Sequence, residues 1–187
     1  AQGVITDGEL DSAELERRLS AVEEMIQRAL DTPLSKGLSL GGLSPAQQVA
    51  ELEFCFVLDD ASLGAINGVL TDHGQPQLPA RSERLRGLMT GFIDLVFESQ
   101  GRFHLLDYKS NDLGNLLEDF AEDALERAMD VHHYRLQALI YAVALHRYLR
   151  QRLKDYSARR HLGSSWYLFV RGLGLNGNSG VWQQSLD

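Results

Sequence analysis

GFIDLVFESQGRFHLLDYKS, residues 91–110, decides how the chain is read. Two apolar runs, Leu88 to Phe97 and Arg102 to Lys109, flank Ser99-Gln100-Gly101. Their aromatic and branched side chains predict two strands, and the short Gly-containing connection predicts an antiparallel hairpin. Each run carries an acid, Asp94 or Asp107, and Lys109 follows two residues after the second. Residues two apart in a strand share a face, so Asp107 and Lys109 project together with Tyr108 opposite. The hairpin brings Asp94 towards them, at a register that spacing leaves open. Carboxylates in apolar surroundings lose hydration and repel one another. A lysine compensates in part and a hard divalent cation compensates more. Two readings stand: a buried Asp107–Lys109 ion pair, and a metal-assisted site.

Working outward, Leu15, Leu19, Val22, Ile26 and Leu30 recur at the spacing of one helix face, and Asp11 with Glu14 forms a capping-box pattern. Residues 31–43 read as loop. Ser44-Pro45, with Gln47 behind it, reads as the start of a short helix. EFCFVL, residues 53–58, is a strand pattern. Residues 59–82 hold one short helix and then a proline-interrupted loop. The acidic stretch 114–130 and the longer stretch 132–153 read as helices, SWYLFV (165–170) as a strand, and 172–180 as a mobile Gly- and Asn-rich loop or hairpin tip. This order predicts the α/β class: a mixed central sheet flanked by helices.

The chain has 187 residues, 44% of them apolar, which is enough for one domain over 1–187 with a sizeable core. The formal net charge of -8 does not advertise nucleic-acid binding, yet it leaves room for a local basic groove. Arg147, Arg150, Arg152, Lys154, Arg159 and Arg160 cluster within 147–160. They read equally as contacts to DNA backbone, as solvated helix surface or as a subunit contact. Cys55 is the only cysteine, which excludes an internal disulfide and a cysteine zinc site and fits a reducing compartment. No apolar run is long enough to cross a bilayer, so no membrane partner and a cytoplasmic location are expected. The chain lacks an initiator methionine and stops at VWQQSLD, so a fragment truncated at both ends is expected.

Mg2+-assisted phosphodiester cleavage needs oxygen ligands, a water nucleophile and compensation for charge at phosphorus. Two acids and a lysine are close to the minimum. Glu51 or Glu53 would add a third acid, although either reads equally as an edge-strand charge. GFIDLVF, thirteen residues from Asp94 to Asp107, and LLDYKSN, with Glu51-Leu52-Glu53-Phe54 upstream and Gln137-Ala138-Leu139-Ile140-Tyr141 downstream, resemble the RecB-like nucleases of the PD-(D/E)XK superfamily. The resemblance covers about residues 50–171 and implies a restriction-endonuclease-like fold. It implies that Glu51, rather than Glu53, joins Asp94 and Asp107 as a Mg2+ ligand, with the Tyr108 backbone carbonyl as a further one. It implies that Lys109 orients or helps deprotonate the attacking water and stabilises charge on the phosphate, while Gln137 and Tyr141 give support. It also implies an exodeoxyribonuclease of the ATP-dependent exonuclease V type, acting on DNA ends in double-strand break repair beside RecC-like and RecD-like subunits.

ATP would be used only in an absent helicase part, since no GxxxxGK[ST] loop occurs here. The family's metal site usually includes an upstream histidine, and no histidine precedes His73. Truncation ahead of Ala1 or a site with fewer ligands accounts for this. The alternative function is a non-catalytic, helicase-associated module that binds DNA or subunits.

Overall fold

In the hairpin at residues 91–110, Gln100 and Gly101 both take positive φ, 55° and 77°. That is the twist a two-residue type I′ turn needs to join antiparallel strands, and Ser99 accordingly pairs with Arg102. The computed structural model describes residues 11–35, 37–72, 75–79 and 83–186; His73 and the first ten residues lie outside them. Among the described residues the elements are α1 (Ser12–Asp31), β1 (Pro33–Ser35), β2 (Leu38–Ser39), β3 (Gln48–Ser62), α2 (Leu63–Asp72), β4 (Arg84–Ser99), β5 (Arg102–Lys109), α3 (Glu122–Val131), α4 (Tyr134–Arg152), α5 (Ala158–His161), β6 (Leu162–Phe169) and β7 (Val181–Ser185).

The main sheet has the order β3-β4-β5-β6-β7. All its pairs are antiparallel except β5 with β6, which are parallel and joined through α3 and α4. The fold is therefore the mixed α/β arrangement that the resemblance implies, a mixed sheet flanked by helices. β5 is central and covered on both faces, which explains its nearly unbroken apolar run. Leu105 packs with Ile93, Val96, Tyr141 and Leu145 under α4. Leu106 packs on the other face with Leu34, Leu40, Trp166 and Leu168. A third cluster joins α3 to β6 and β7 through Leu125, Met129, Tyr167, Phe169 and Trp182. No helix among the described residues is long and apolar enough to cross a membrane.

Several elements differ from the sequence expectation. The helix started by Pro45 is a single 3-10 turn, Pro45–Gln47, because the chain enters β3 at Gln48. That strand runs through Ser62 and pairs with β4 over nearly its whole length, so its edges outside EFCFVL are set by partner bonds. The acidic segment breaks into a 3-10 turn, Leu117–Phe120, and α3, with Phe120 buried between them. α1 forms where its period places it, yet none of its residues is buried, and Leu15, Leu19, Val22 and Ile26 stay exposed. β7 has too few residues to be seen by pattern; Trp182 anchors it.

The segment 172–180 was expected to lack anchors, but Leu173 and Gly180 are buried at its ends. Gly180 donates its N–H to Phe120 O at 3.1 Å and accepts the Phe169 N–H at 2.8 Å. Its φ is 77°, and a Cβ there would lie 2.8 Å from the backbone oxygen of Phe169. Replacing Gly180 by alanine combines left-handed strain with a backbone clash. Gly180→Ala is expected to destabilise the fold by about 2 kcal/mol or more, lowering the thermal midpoint by roughly 5 °C in a melt followed by circular dichroism.

Candidate active site

β4 and β5 pair from the turn up to Leu95 with Leu106. One step further that register sets Asp94 opposite Asp107, but the ladder stops there. The Asp94 carboxylate accepts the Tyr108 N–H at 2.9 Å, a donor that a β4 carbonyl would take in a continued ladder. On the other side of β4, Ala50 pairs with Leu95 and Leu52 with Ile93, which leaves Glu51 opposite Asp94. Glu51 has a φ of 51°, a conformation rare for a non-glycine residue inside a strand. The backbones of Glu51, Asp94 and Asp107 therefore form one row across β3, β4 and β5.

Their environments differ sharply. Asp107 is only 4% exposed, Asp94 is half-buried and Glu51 is exposed. Lys109 Nζ lies 2.5 Å from Asp107 Oδ2 and donates to Gln137 Oε1 at 2.9 Å. The same ammonium sits 3.9 Å from the centre of the Tyr134 ring and 5.2 Å from that of Tyr167, both within cation–π range. Gln137 Nε2 donates to the Tyr141 hydroxyl at 2.9 Å, and that hydroxyl lies within the electrostatic reach of the Asp107 carboxylate. The Tyr167 hydroxyl faces Tyr134 O at 3.1 Å and Gln137 Oε1 at 3.2 Å. One turn of α4 thus reaches both ends of the ion pair: Gln137 bonds the cation, and Tyr141 stands beside the anion.

Burial pushes the Asp107 carboxyl above its ordinary value. The hydrogen bond and charge of Lys109 oppose that shift, and the neighbouring Asp94 charge adds to it. Burial, then the Asp107 charge, pushes the Tyr141 phenol up to about 12. Tyr167 is raised by the same two causes, so both phenols stay protonated donors at neutral pH. Two carboxylates against one ammonium leave a residual negative charge. The hard oxygens of Asp94 and Asp107 suit Mg2+, which is held by one or two carboxylates with waters and substrate phosphate. Among the described residues, no group of three His, Cys, Asp or Glu side chains is arranged to hold a metal ion. The backbone row accordingly does not bring the Glu51 carboxylate to the other two.

The structure therefore brings Asp94, Asp107, Lys109, Gln137 and Tyr141 together and leaves Glu51 and Glu53 exposed on β3. Tyr108 offers its N–H to Asp94 while its side chain is 40% exposed. Sequence reasoning assigned no role to Tyr134, Tyr167 or Asn111. Tyr134 donates to Asn111 Oδ1 at 3.0 Å, and Asn111 Nδ2 faces His132 Nε2 at 3.3 Å, closing one wall around Lys109. Tyr134 could have been found as the residue three before Gln137. Tyr167 carried no such signal, because only the parallel β5–β6 register sets it beside Asp107.

The profile of the PD-(D/E)XK nuclease superfamily matches residues 4–186. The RecBCD enzyme subunit RecB of Escherichia coli K12 is 39% identical over 155 residues, 80% of this chain and 13% of that protein. The subunit of the same name from Haemophilus influenzae is 37% identical over 167 residues, 86% of this chain and 14% of its own length. That of Mycobacterium tuberculosis is 37% identical over 168 residues, 76% of this chain and 15% of that protein. The chain thus spans a small part of the relatives it matches.

A carboxyl whose folded pKa is raised contributes stability that is complete below its unfolded value and is lost as pH rises through the folded value. For Asp107 this window opens at the ordinary value of 3.8 and extends upward. In metal-free buffer, the stability of the parent relative to Asp107→Asn should fall as pH rises through that window and then level off. Urea unfolding at a series of pH values measures it; a flat difference, or one rising with pH, would contradict the raised pKa.

Proposed function

Because the chain belongs to the PD-(D/E)XK nuclease superfamily, we propose that it is the DNA-cleaving domain of a RecB-like subunit, hydrolysing phosphodiesters with Mg2+ as DNA ends are processed for double-strand break repair. The observation that carries this reading is the buried Asp107–Lys109 pair beside Asp94, braced from α4 by Gln137 and Tyr141. Asp94 and Asp107 are the residues that would hold Mg2+, with the Tyr108 carbonyl as a further oxygen donor; Glu51, exposed on the neighbouring strand, would have to turn towards them to join. When bound, the ion supplies Lewis-acid polarisation of the phosphate and a more acidic water.

The chain's own groups supply placement and charge. Lys109, paired with Asp107, donates to the attacking water or to a non-bridging phosphate oxygen as negative charge develops. Its direction is set in advance by Gln137 and the Tyr134 ring, so little reorganisation is needed when charge appears. Tyr141 stands beside Asp107 where the strands splay. The attacking oxygen bonds to phosphorus while the P–O3′ bond breaks, leaving a 5′-phosphate and a 3′-hydroxyl that takes up a proton. In a longer parent, RecC-like and RecD-like subunits and an ATP-driven motor would deliver strand to this site.

A second reading is favoured by the absence of a three-acid group among the described residues: Asp107 and Lys109 form a structural ion pair in a non-catalytic module that binds DNA or subunits. The two readings predict different mutants. Under the catalytic reading, Asp94→Ala, Asp107→Ala and Lys109→Ala keep their circular dichroism and lose roughly 10²-fold or more in Mg2+-dependent cleavage of single-stranded DNA. Under the structural one, removing either partner of the buried pair costs about 3–5 kcal/mol of stability. Folded Lys109→Ala protein cleaving at the parental rate would remove Lys109 from the mechanism. The same result for both aspartate variants would sink the nuclease reading.

A further inference from the structure

We propose that the groove between β3 and the C-terminal half of α4 is a track for the phosphate backbone of a single nucleic-acid strand, leading to the Asp94–Asp107 site. The proposal rests on the nuclease reading for what happens at the end of the track, but not for binding along it. The groove has a volume of about 340 Å³. Arg147, Arg150 and Arg152 line one wall, all exposed on α4, while Phe54 and Phe56 from β3 line the other. Among the described residues none of the three arginines forms an ion pair, in a chain whose net charge is -8. Two of them are held by rings instead. The Arg147 guanidinium lies 4.7 Å over Phe56 and that of Arg152 lies 3.7 Å over Tyr148.

Stacking of this kind has a specific consequence. A guanidinium held by an aromatic face keeps its N–H fork free at the edge, and its side-chain entropy is already reduced. The free fork matches phosphate oxygens two at a time. The Phe56 and Tyr148 rings are taken by arginine, and Phe54 packs on Phe56 and Tyr141, so the groove recognises backbone rather than base.

The groove also reaches the site. Phe54 lines it and meets Tyr141 edge-on, with centroids 5.8 Å apart, and Tyr141 is bonded to Gln137, which holds Lys109. At about 1.5 Å per helical residue, Arg147 to Arg152 lie roughly 9–17 Å along α4 from Tyr141. A strand in the groove would present successive phosphates to the arginines and then pass the ion pair. Glu53, an acid on the groove wall, would disfavour a backbone pressed against β3, leaving α4 as the phosphate-facing side.

The test is fluorescence anisotropy of a labelled 20-nucleotide oligothymidine with the 187-residue chain in EDTA, over a range of salt concentrations. The triple variant Arg147→Gln/Arg150→Gln/Arg152→Gln keeps the aliphatic stems and removes the charge. Its affinity is expected to fall at least tenfold at low salt, and the slope of log K against log salt to shrink by about 2, as for three lost phosphate contacts. Arg159→Gln/Arg160→Gln, outside the groove, should bind like the parent, and oligoadenosine should bind like oligothymidine. The proposal is overturned by a parent that does not bind, by a folded triple variant with the parental affinity and slope, or by polyglutamate competing as well as the oligonucleotide, which would assign the groove to an acidic protein surface. Cleavage of the same oligonucleotide in Mg2+ is read separately. Binding through the arginines without cleavage leaves the track standing and defeats the nuclease reading; cleavage with unchanged binding in the triple variant does the reverse.

Discussion

The hydrogen bond from the Tyr108 N–H to the Asp94 carboxylate is the constraint on which the site depends. It ends the β4–β5 ladder where the register would otherwise set two carboxylates side by side. A carboxylate that accepts a backbone N–H satisfies both the orphaned donor and part of its own lost hydration. The strands open at that point without leaving an unpaired N–H on Tyr108. Had the ladder continued, Asp94 and Asp107 would have faced each other as a directly opposed like-charge pair, an arrangement sheets disfavour.

The opened end is closed over by α4. A helix repeats every 3.6 residues, so Gln137 and Tyr141, four apart, stand one above the other on the face that covers β5. That spacing lets one helix turn reach the ammonium of Lys109 and the carboxylate of Asp107 at once. Leu145 and Leu149 continue the same face into the core, where both are buried. Packing therefore fixes the helix in rotation, and the fixed rotation aims the polar pair. Beyond that turn, the exposed side of the same helix carries the arginines of the β3–α4 groove. Helix rotation thus couples the buried ion pair to the cationic surface.

Much of this was legible in advance, for reasons tied to particular residues. The hairpin could be read because Gln100-Gly101 is a turn sequence between two strongly apolar runs. The pairing of Asp107 with Lys109 could be read because a strand repeats every two residues. Gln137 and Tyr141 could be read as one helix face. The limits are equally specific. α1 shows a clean apolar stripe, yet its leucines are exposed; a periodic stripe shows that a face is apolar and says nothing of what covers it. The 3-10 turn at Pro45–Gln47 began like a helix and was cut short by the pull of a sheet partner. Leu173 and Gly180 anchor a segment whose composition reads as loose.

Alternation and helical period, which the chain carries in local order, determined the α/β class, the hairpin, and the side-by-side placement of Asp107 with Lys109 and of Gln137 with Tyr141. Contacts between segments far apart in the chain decided the rest. Tyr167 sits beside Asp107 only because β6 runs parallel to β5 after a long helical crossover. Glu51 aligns with Asp94 in backbone register yet stays exposed, because its φ of 51° and the edge position of β3 turn on pairing that no local pattern encodes. Register between distant strands is set by the packing of whole faces, and that sum exists only in the folded chain.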